Sequence, residues 1–600
     1  MSKKKRSAPA APAPMGKARG VAICVALVAV LAVWFVRLTG PGGAAPSASA
    51  RAAQLAAANA DLRAQLAAAK ARGGAPAVME AREDAPAVAA PSVAACDIPG
   101  FLMWLDVGGG QMHSALSIET SAQGQRRVVA ARGAVAADQV LVYVPRELTL
   151  RAPHGLTEPF AALRLGTDGR SHPSVSMISF DESDGSTVVD IYALAATLIA
   201  ERSRGTASKW AHYVQCLPGA SEADDDGTPE TCPSIFCATD AELEMLQSST
   251  YVAEAVHDRD AVETARRAVD WSAAARGHGL STADLPAPSP RLWRWAVSMV
   301  LSRKFRWEAR LDEHYLVPVG DMLNHEPLPA KWPAMAMVRE PAGFAAITPA
   351  PVYHGEEVHL QYVDSAVTAW NLLRTFGFVA PGGAGGTGGH TAVRMSINPE
   401  FDTPAEMRRV ATVLRHMAPD RVSISNAQGG KLQATLAFST GDTFDAATLG
   451  FCRVLANRRS LRALLVDVSE GTELTEKKEA MAAAEDRAMF GTLDKPLYAE
   501  NEAAAFDLAF RSLDTCAAEW AGTTTLAEDE ALLQRAEADG KARSGLSARA
   551  LTHIEFRLLR KRVDASSRAV LKKLKAKFEA AQQQAKFEAL QRDLEAKSNQ

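Results

Sequence analysis

LVPVGDMLNH (316–325) is the stretch on which the reading of this chain turns. It stands at the head of a strand-rich region, 315–361, and packs Asp321, Asn324 and His325 behind an apolar run. Two further segments frame it. Upstream, PAPSPRLWRWAVSMVLSRKFR (286–306) reads as a helix begun after prolines, with Trp295, Met299 and Ser302 on one stripe and Arg303 near its end. Downstream, GEEVHLQY (355–362) ends on Tyr362 and is followed by Asn371-Leu372-Leu373 and Phe376-Gly377-Phe378. Each segment alone is weak, since an Asn-His pair arises by chance in a chain this long. Their order and spacing carry the weight.

Working outward, RRVVAA (126–131) and QVLVYVP (139–145) are β-branched runs, so residues 101–145 read as strand-like. Residues 188–217 turn helical, and ADDDGTPE (223–230) reads as a solvated acidic loop. PGGAGGTGG (381–389) holds no regular element and lacks the Lys-Ser/Thr of a phosphate-binding loop. Beyond Pro399 the chain reads as helical. Apolar residues recur every three to four positions over 449–465, 500–520, 526–537 and 548–577, and a charged amphipathic helix finishes the chain.

Six hundred residues exceed one core, so two or three domains are expected. With 66 basic and 69 acidic residues the formal charge is -3, which gives no footing to a nucleic-acid binder. Seven cysteines include no CxxC, and only Cys232 and Cys237 lie close together. They read as buried or incidental thiols, and no metal site is expected.

The N-terminus reads as a membrane address. Residues 21–36 are sixteen without a charge, about 24 Å as a helix against a ~30 Å bilayer core. Snorkelling Arg37 and added Leu38 extend the run toward a span. Six basic residues precede it and Arg37 follows, which keeps MSKKKR cytosolic and sends the rest across. The reading is a single-pass signal anchor over 21–38. Ala48-Ser49-Ala50 offers the alternative of a cleaved presequence, with a plastid or secretory-lumen destination. An Ala/Pro-rich stalk and linker covers 39–95.

Taken together, the three framed segments resemble the SET domain of the Rubisco large-subunit lysine methyltransferase class. LIAERSRGTASKWAHYVQCLP (198–218) resembles the insertion within that domain. LGFCRVL (449–455), Asn501-Glu502 and TTTLAEDEALL (523–533) resemble its helical substrate-binding domain. The resemblance covers about 101–571. It implies an α+β fold: a SET domain over 96–380, with small twisted sheets, a pseudoknot-like C-terminal loop and a helical insertion at about 150–300. An all-α domain over 390–575 and a charged helical tail over 576–600 would follow, and the N-terminal transmembrane segment would precede them.

The activity implied is transfer of a methyl group from S-adenosylmethionine to a protein lysine. Such a reaction is an in-line displacement that needs a neutral amine, although free lysine titrates near 10.4. A narrow apolar channel beside a positive sulfur lowers that value, and alignment supplies most of the remaining acceleration. The site therefore wants aromatic walls and fixed oxygen acceptors rather than a metal. By resemblance, Tyr362 is the active-site tyrosine. Asn324 and His325 hold the cofactor, and Asp321 positions their loop or touches ligand. Arg303 takes the cofactor carboxylate, Phe376 lines the lysine channel, and Phe378 forms the adenine shelf.

The chain departs from the family at three places. A Gly-x-Gly that lets backbone approach the cofactor is replaced by Gln125, Arg126 and Arg127, with Gly124 upstream. Thr368-Ala369 stands where Ser-Asn is usual, and Phe376 stands where many members have tyrosine. The expected partners are a protein substrate and, through the N-terminal segment, a membrane, with no nucleic acid. A histidine acceptor and an inactive SET scaffold that binds a partner through 400–575 stay open beside the lysine reading.

Overall fold

The computed structural model describes residues 96–120, 126–153, 159–160, 185–219, 232–307, 310–326, 336–339, 342–360, 362, 368–379, 393–397, 407, 410, 414, 422–425, 431–438, 446–456, 499–520, 523–538 and 545–598. All of them fall within one compact unit. Two four-stranded sheets form the first layer. One runs β1-β4-β9-β8, from Gln111–Met112, Val140–Pro145, Ala342–Ile347 and Ala336–Arg339. The other runs β2-β3-β10-β7, from Ser117–Thr120, Arg126–Val129, Glu357–Leu360 and Asn324–His325. A two-stranded ribbon pairs β5 (Lys304–Trp307) with β6 (Arg310–Leu316).

The β4 strand, VLVYVP, is buried along its middle because β9 covers it antiparallel, Tyr143 opposite Ala345. Gly343 is needed there. A Cβ would meet the Val144 carbonyl oxygen at 2.5 Å and the Tyr143 ring at 2.9 Å. The second sheet assembles the site. β10 pairs antiparallel with β3, Glu357 opposite Val129, and parallel with β7, His359 opposite Asn324 and Leu360 opposite His325. A parallel pair cannot be closed by a tight hairpin. The 315–326 and 355–362 segments, well apart in sequence, therefore become neighbours at one strand end.

Helices cover the sheets. α1 (Ile98–Val107) precedes them, and α2 (Gly185–Ser203), α3 (Ala211–Gln215), α4 (Asp240–Glu244), α5 (Ser249–Ala268) and α6 (Trp271–Gly277) follow β4. α7 (Pro290–Arg303) starts where Ser289 accepts from the Leu292 amide at 3.1 Å, with Pro290 in its first turn. It packs against α2 and buries Trp293, Trp295 and Met299 completely. Both indoles are satisfied at 2.8 Å, by the carbonyls of Val262 and Pro218. α8 (Ala369–Phe376) closes this half.

In the C-terminal half, α9 (Ala446–Ala456), α10 (Ala499–Ala518), α11 (Leu526–Ala538) and α12 (Ala548–Ser598) surround a second core that includes Phe451, Phe506 and Phe556. Buried ion pairs knit it. Arg453 on α9 grips Glu502 on α10 through two bonds of 2.7 Å. Asp529 on α11 receives Arg557 at 2.7 Å and Lys561 at 2.6 Å, both from α12.

Four expectations are corrected. The C-terminal region is not all-α, because β11 (Val393–Ile397), β13 (Lys431–Phe438) and β12 (Val422–Ser425) form a three-stranded antiparallel sheet. KLQATL, the first six residues of β13, alternates polar and apolar residues with period two, a short signal hidden among helical repeats. Residues 98–107 form a helix rather than a strand, with Pro99 in its first turn. The transmembrane segment is withdrawn from the fold. No helix among the described residues is long and apolar enough to cross a membrane, and residues 21–38 lie outside them. The uncharged run itself falls short of a bilayer core by about a turn of helix. Lastly, four cysteines are not incidental thiols. Cys96 is bonded to Cys216 and Cys232 to Cys237. The stalk, the 223–230 loop and the 381–389 glycine run also lie outside the described residues.

Candidate active site

The parallel β7–β10 pair delivers Asn324 and His325 beside the chain leading to Tyr362. The Tyr362 amide donates to His325 Nδ1 at 3.1 Å, and the Tyr362 hydroxyl donates to the Leu323 carbonyl at 2.5 Å. Burial raises the phenol well above its ordinary range, while Arg303 pulls it down. The hydroxyl therefore stays protonated. With its hydrogen on Leu323, its oxygen is fixed as an acceptor.

Four rings close around this point. His325 lies 5.3 Å from Tyr362 and 5.8 Å from Phe378, Phe376 lies 5.3 Å from Tyr362, and Phe376 and Phe378 are 6.0 Å apart. Gly377 makes the last two sides possible. It caps α8 in the left-handed region at φ 73°, reversing the chain between the two phenylalanines. It also seats against Pro233, whose carbonyl oxygen would stand 2.1 Å from an added Cβ. Pro233 lies in the loop closed by Cys232–Cys237. Arg549 of α12 donates to both ends of that loop, to Cys232 O at 2.8 Å and Cys237 O at 3.2 Å.

Beside the aromatic ring lies a charged group. Asp321 follows Val319, a buried β-branched residue held at φ 65° before the short turn Gly320–Met322. Such a conformation costs on the order of 1–3 kcal/mol and persists only where the surroundings enforce it. Asp321 is buried. Its Oδ2 accepts from Tyr213 at 2.9 Å, and Arg303 donates to its backbone oxygen at 2.6 Å. The Arg303–Oδ2 separation is longer, 3.4 Å. Burial raises the Asp321 pKa, opposed by Arg303 and Tyr213. Asp321 Oδ1 and Arg303 Nε are both buried with no hydrogen-bond partner. A free acceptor beside a free donor is the complement of an amino-acid head, ammonium and carboxylate together.

All seven residues singled out in the sequence thus converge on one region: Asn324, His325, Tyr362, Phe376 and Phe378 around the ring, Arg303 and Asp321 beside it. Three neighbours escaped the sequence reading. Tyr213 sits in the SKWAHYVQCLP segment but offers no spacing cue to Asp321. Glu357 accepts from Asn324 Nδ2 at 2.7 Å. Arg126, noticed only as a missing glycine, accepts the same Asn324 amide on its backbone oxygen at 3.1 Å. No group of three or more His, Cys, Asp or Glu suited to a metal occurs among the described residues.

No protein-family model matches the chain. No curated protein matches it either. Among solved structures it is similar to Rubisco LSMT bound to sinefungin and monomethyllysine, at 18% identity and TM-score 0.51, covering 80% of this chain and 93% of that one. It is similar to the SET domain of LSMT bound to lysine and AdoHcy, at 18% identity and TM-score 0.51, covering 80% and 92%. It also matches Rubisco LSMT bound to AdoMet, at 19% identity and TM-score 0.50, covering 80% and 93%. The fold is that of LSMT.

Proposed function

We propose that this SET-fold chain is an S-adenosylmethionine-dependent protein-lysine N-methyltransferase. The observation that carries the reading is the closed ring of His325, Tyr362, Phe376 and Phe378, with the half-satisfied Asp321–Arg303 pair at its side. The solved structures of this fold named above hold AdoMet or its analogues and lysine or monomethyllysine.

S-Adenosylmethionine supplies an electrophilic methyl group when bound. Asp321 and Arg303 would hold its amino-acid head, Asn324 and His325 would bind it alongside, and Phe378 would offer a flat apolar face for the adenine. Phe376 and Tyr362 form the walls for the incoming lysine. Their apolar surfaces disfavour an ammonium and so promote the neutral amine. Burial raises the Tyr362 phenol, which favours its protonated form over a role as base. Its contribution is the fixed oxygen, which orients the amine and methyl without reorganising during transfer. The region from about 390 to 575, including α9 to α11 and the first half of α12, is the proposed substrate-binding domain behind a SET domain over 96–380.

The Cys96–Cys216 and Cys232–Cys237 bonds support residence in an oxidising compartment, hence the secretory-lumen destination rather than a plastid.

The test is to incubate the full chain with methyl-labelled S-adenosylmethionine and extract proteins, then hydrolyse and identify the labelled amino acid. Methyllysine is expected. Methylhistidine would move the acceptor, and absence of both label and cofactor binding would make the chain a scaffold.

A further inference from the structure

Where the family has close-approach glycines, this chain carries Arg126 and Arg127 at the start of β3. Successive strand residues face opposite sides of the sheet. Arg127 pairs with Glu119 at 3.1 Å on the partly exposed side. Arg126 turns the other way. Its backbone oxygen holds the Asn324 amide, and its guanidinium donates to the Cys216 carbonyl, just past α3. The same short helix carries Tyr213, whose hydroxyl rests on Asp321.

β3 lies against the Gly320–Met322 turn, so Arg126 and Arg303 both stand near the buried Asp321, with Arg303 alone paired to it. The two cations sense each other. Burial and Arg303 both lower the Arg126 pKa, and Asp321 opposes them. Glu357 is committed elsewhere, to Asn324 at 2.7 Å and to His359 Nε2 at 3.5 Å. Two neighbouring guanidiniums, one of them with an unpaired Nε, favour an anionic ligand beside them. The unpartnered Asp321 Oδ1 and Arg303 Nε lie in the same place.

From this arrangement we infer that Arg126 binds the α-carboxylate of the S-adenosylmethionine amino-acid head together with Arg303, while Asp321 Oδ1 accepts from its ammonium. The inference rests on the methyltransferase reading above. It turns the lost glycines into an exchange, with a charged side chain reaching the ligand where backbone would otherwise approach it. Arg126 is then a specificity residue for the amino-acid head, with no part in the adenine contacts.

The test is calorimetric, on the full oxidised chain, with two probes: S-adenosylhomocysteine, which has the head, and 5′-methylthioadenosine, which lacks it. Arg126→Ala should weaken the first by roughly 10–100-fold, the scale of a charge-assisted bond, and leave the second unchanged. Arg126→Lys should fall between. Equal affinity of wild type and Arg126→Ala for S-adenosylhomocysteine would overturn the inference while leaving the methyltransferase reading intact. Tighter binding by Arg126→Ala would overturn it too, showing an arginine that obstructs. Loss of both probes in the Ala and Lys variants would make Arg126 a fold residue and end the proposal. A wild type that binds neither probe would remove the methyltransferase reading itself.

Discussion

Tyr362 and His325 are bound to each other across a parallel strand pair, amide to Nδ1 at 3.1 Å with ring centres 5.3 Å apart. Because Nδ1 accepts, a neutral His325 carries its proton on Nε2. The Tyr362 ring is thus held from two directions, by its own amide through His325 and by its hydroxyl through Leu323. A tyrosine fixed at both ends can present its oxygen at one position, which is what a preorganised acceptor requires.

Tyr362→Phe tests that role. The ring contacts with His325 and Phe376 survive, and one hydrogen bond to Leu323 is lost, worth about 1 kcal/mol of stability. S-Adenosylhomocysteine affinity should hold within about threefold, while turnover in the methyl-transfer assay should drop roughly 10²–10³-fold. Equal turnover by the two proteins would take Tyr362 out of the active site.

Gly377→Ala tests the turn that aims the two phenylalanines. An L-residue at φ 73° costs about 1–2 kcal/mol, and its Cβ would also collide with the Pro233 carbonyl. The variant should unfold at lower urea and raise KM for the protein substrate more than it lowers cofactor affinity. A variant with wild-type midpoint and KM would show that the Pro233 seat does not hold the ring.

Much of this site was legible because its residues lie in short linear motifs. Asp321, Asn324 and His325 share one decapeptide, and Phe376 and Phe378 flank a glycine. What stayed hidden depends on long-range contact. Tyr213 meets Asp321 across 108 positions, and Cys96 meets Cys216 across 120, so no local pattern announces either pair. The β11–β13–β12 sheet was missed for another reason. Its strands run only four to eight residues, too few for alternation to stand out beside long helical repeats. Arg126 was visible from the start, but only as an absence, since a motif comparison scores what is missing and not what the replacement can reach.

The Cys96–Cys216 bond should matter to stability more than its surroundings suggest. It closes a loop of 120 residues, for which chain entropy sets an upper figure of about 4–5 kcal/mol. Cys96→Ser with Cys216→Ser should lower the urea unfolding free energy by about 2–4 kcal/mol. Dithiothreitol should destabilise the wild type by at least as much, and the double variant only by the smaller contribution of Cys232–Cys237. A wild type insensitive to reductant would mean that the two thiols are not joined.

Acid should destabilise the chain through two buried histidines. His278 lies behind Thr197, and burial lowers its pKa to about 4. His553 on α12 donates from Nδ1 to the Glu242 carbonyl at 2.7 Å, and burial with Arg549 nearby takes it also to about 4. In the unfolded chain both titrate near 6.5. Between about pH 6.5 and 4 the unfolded state therefore binds more protons than the folded one, so unfolding free energy falls as pH falls. Above pH 6.5 the contribution is complete, and it is spent by the time the solution reaches the folded values. Each group accounts for on the order of 2–3 kcal/mol across that window. Since His553 joins α12 to α4, its protonation should loosen the C-terminal helices first. Urea unfolding followed from pH 7 to 4.5 should show the decline, and His553→Asn should remove a measurable part of its slope while lowering stability at pH 7. An unchanged slope in that variant would assign the acid sensitivity to the carboxylates, among them Asp529 in its cage of Arg557 and Lys561.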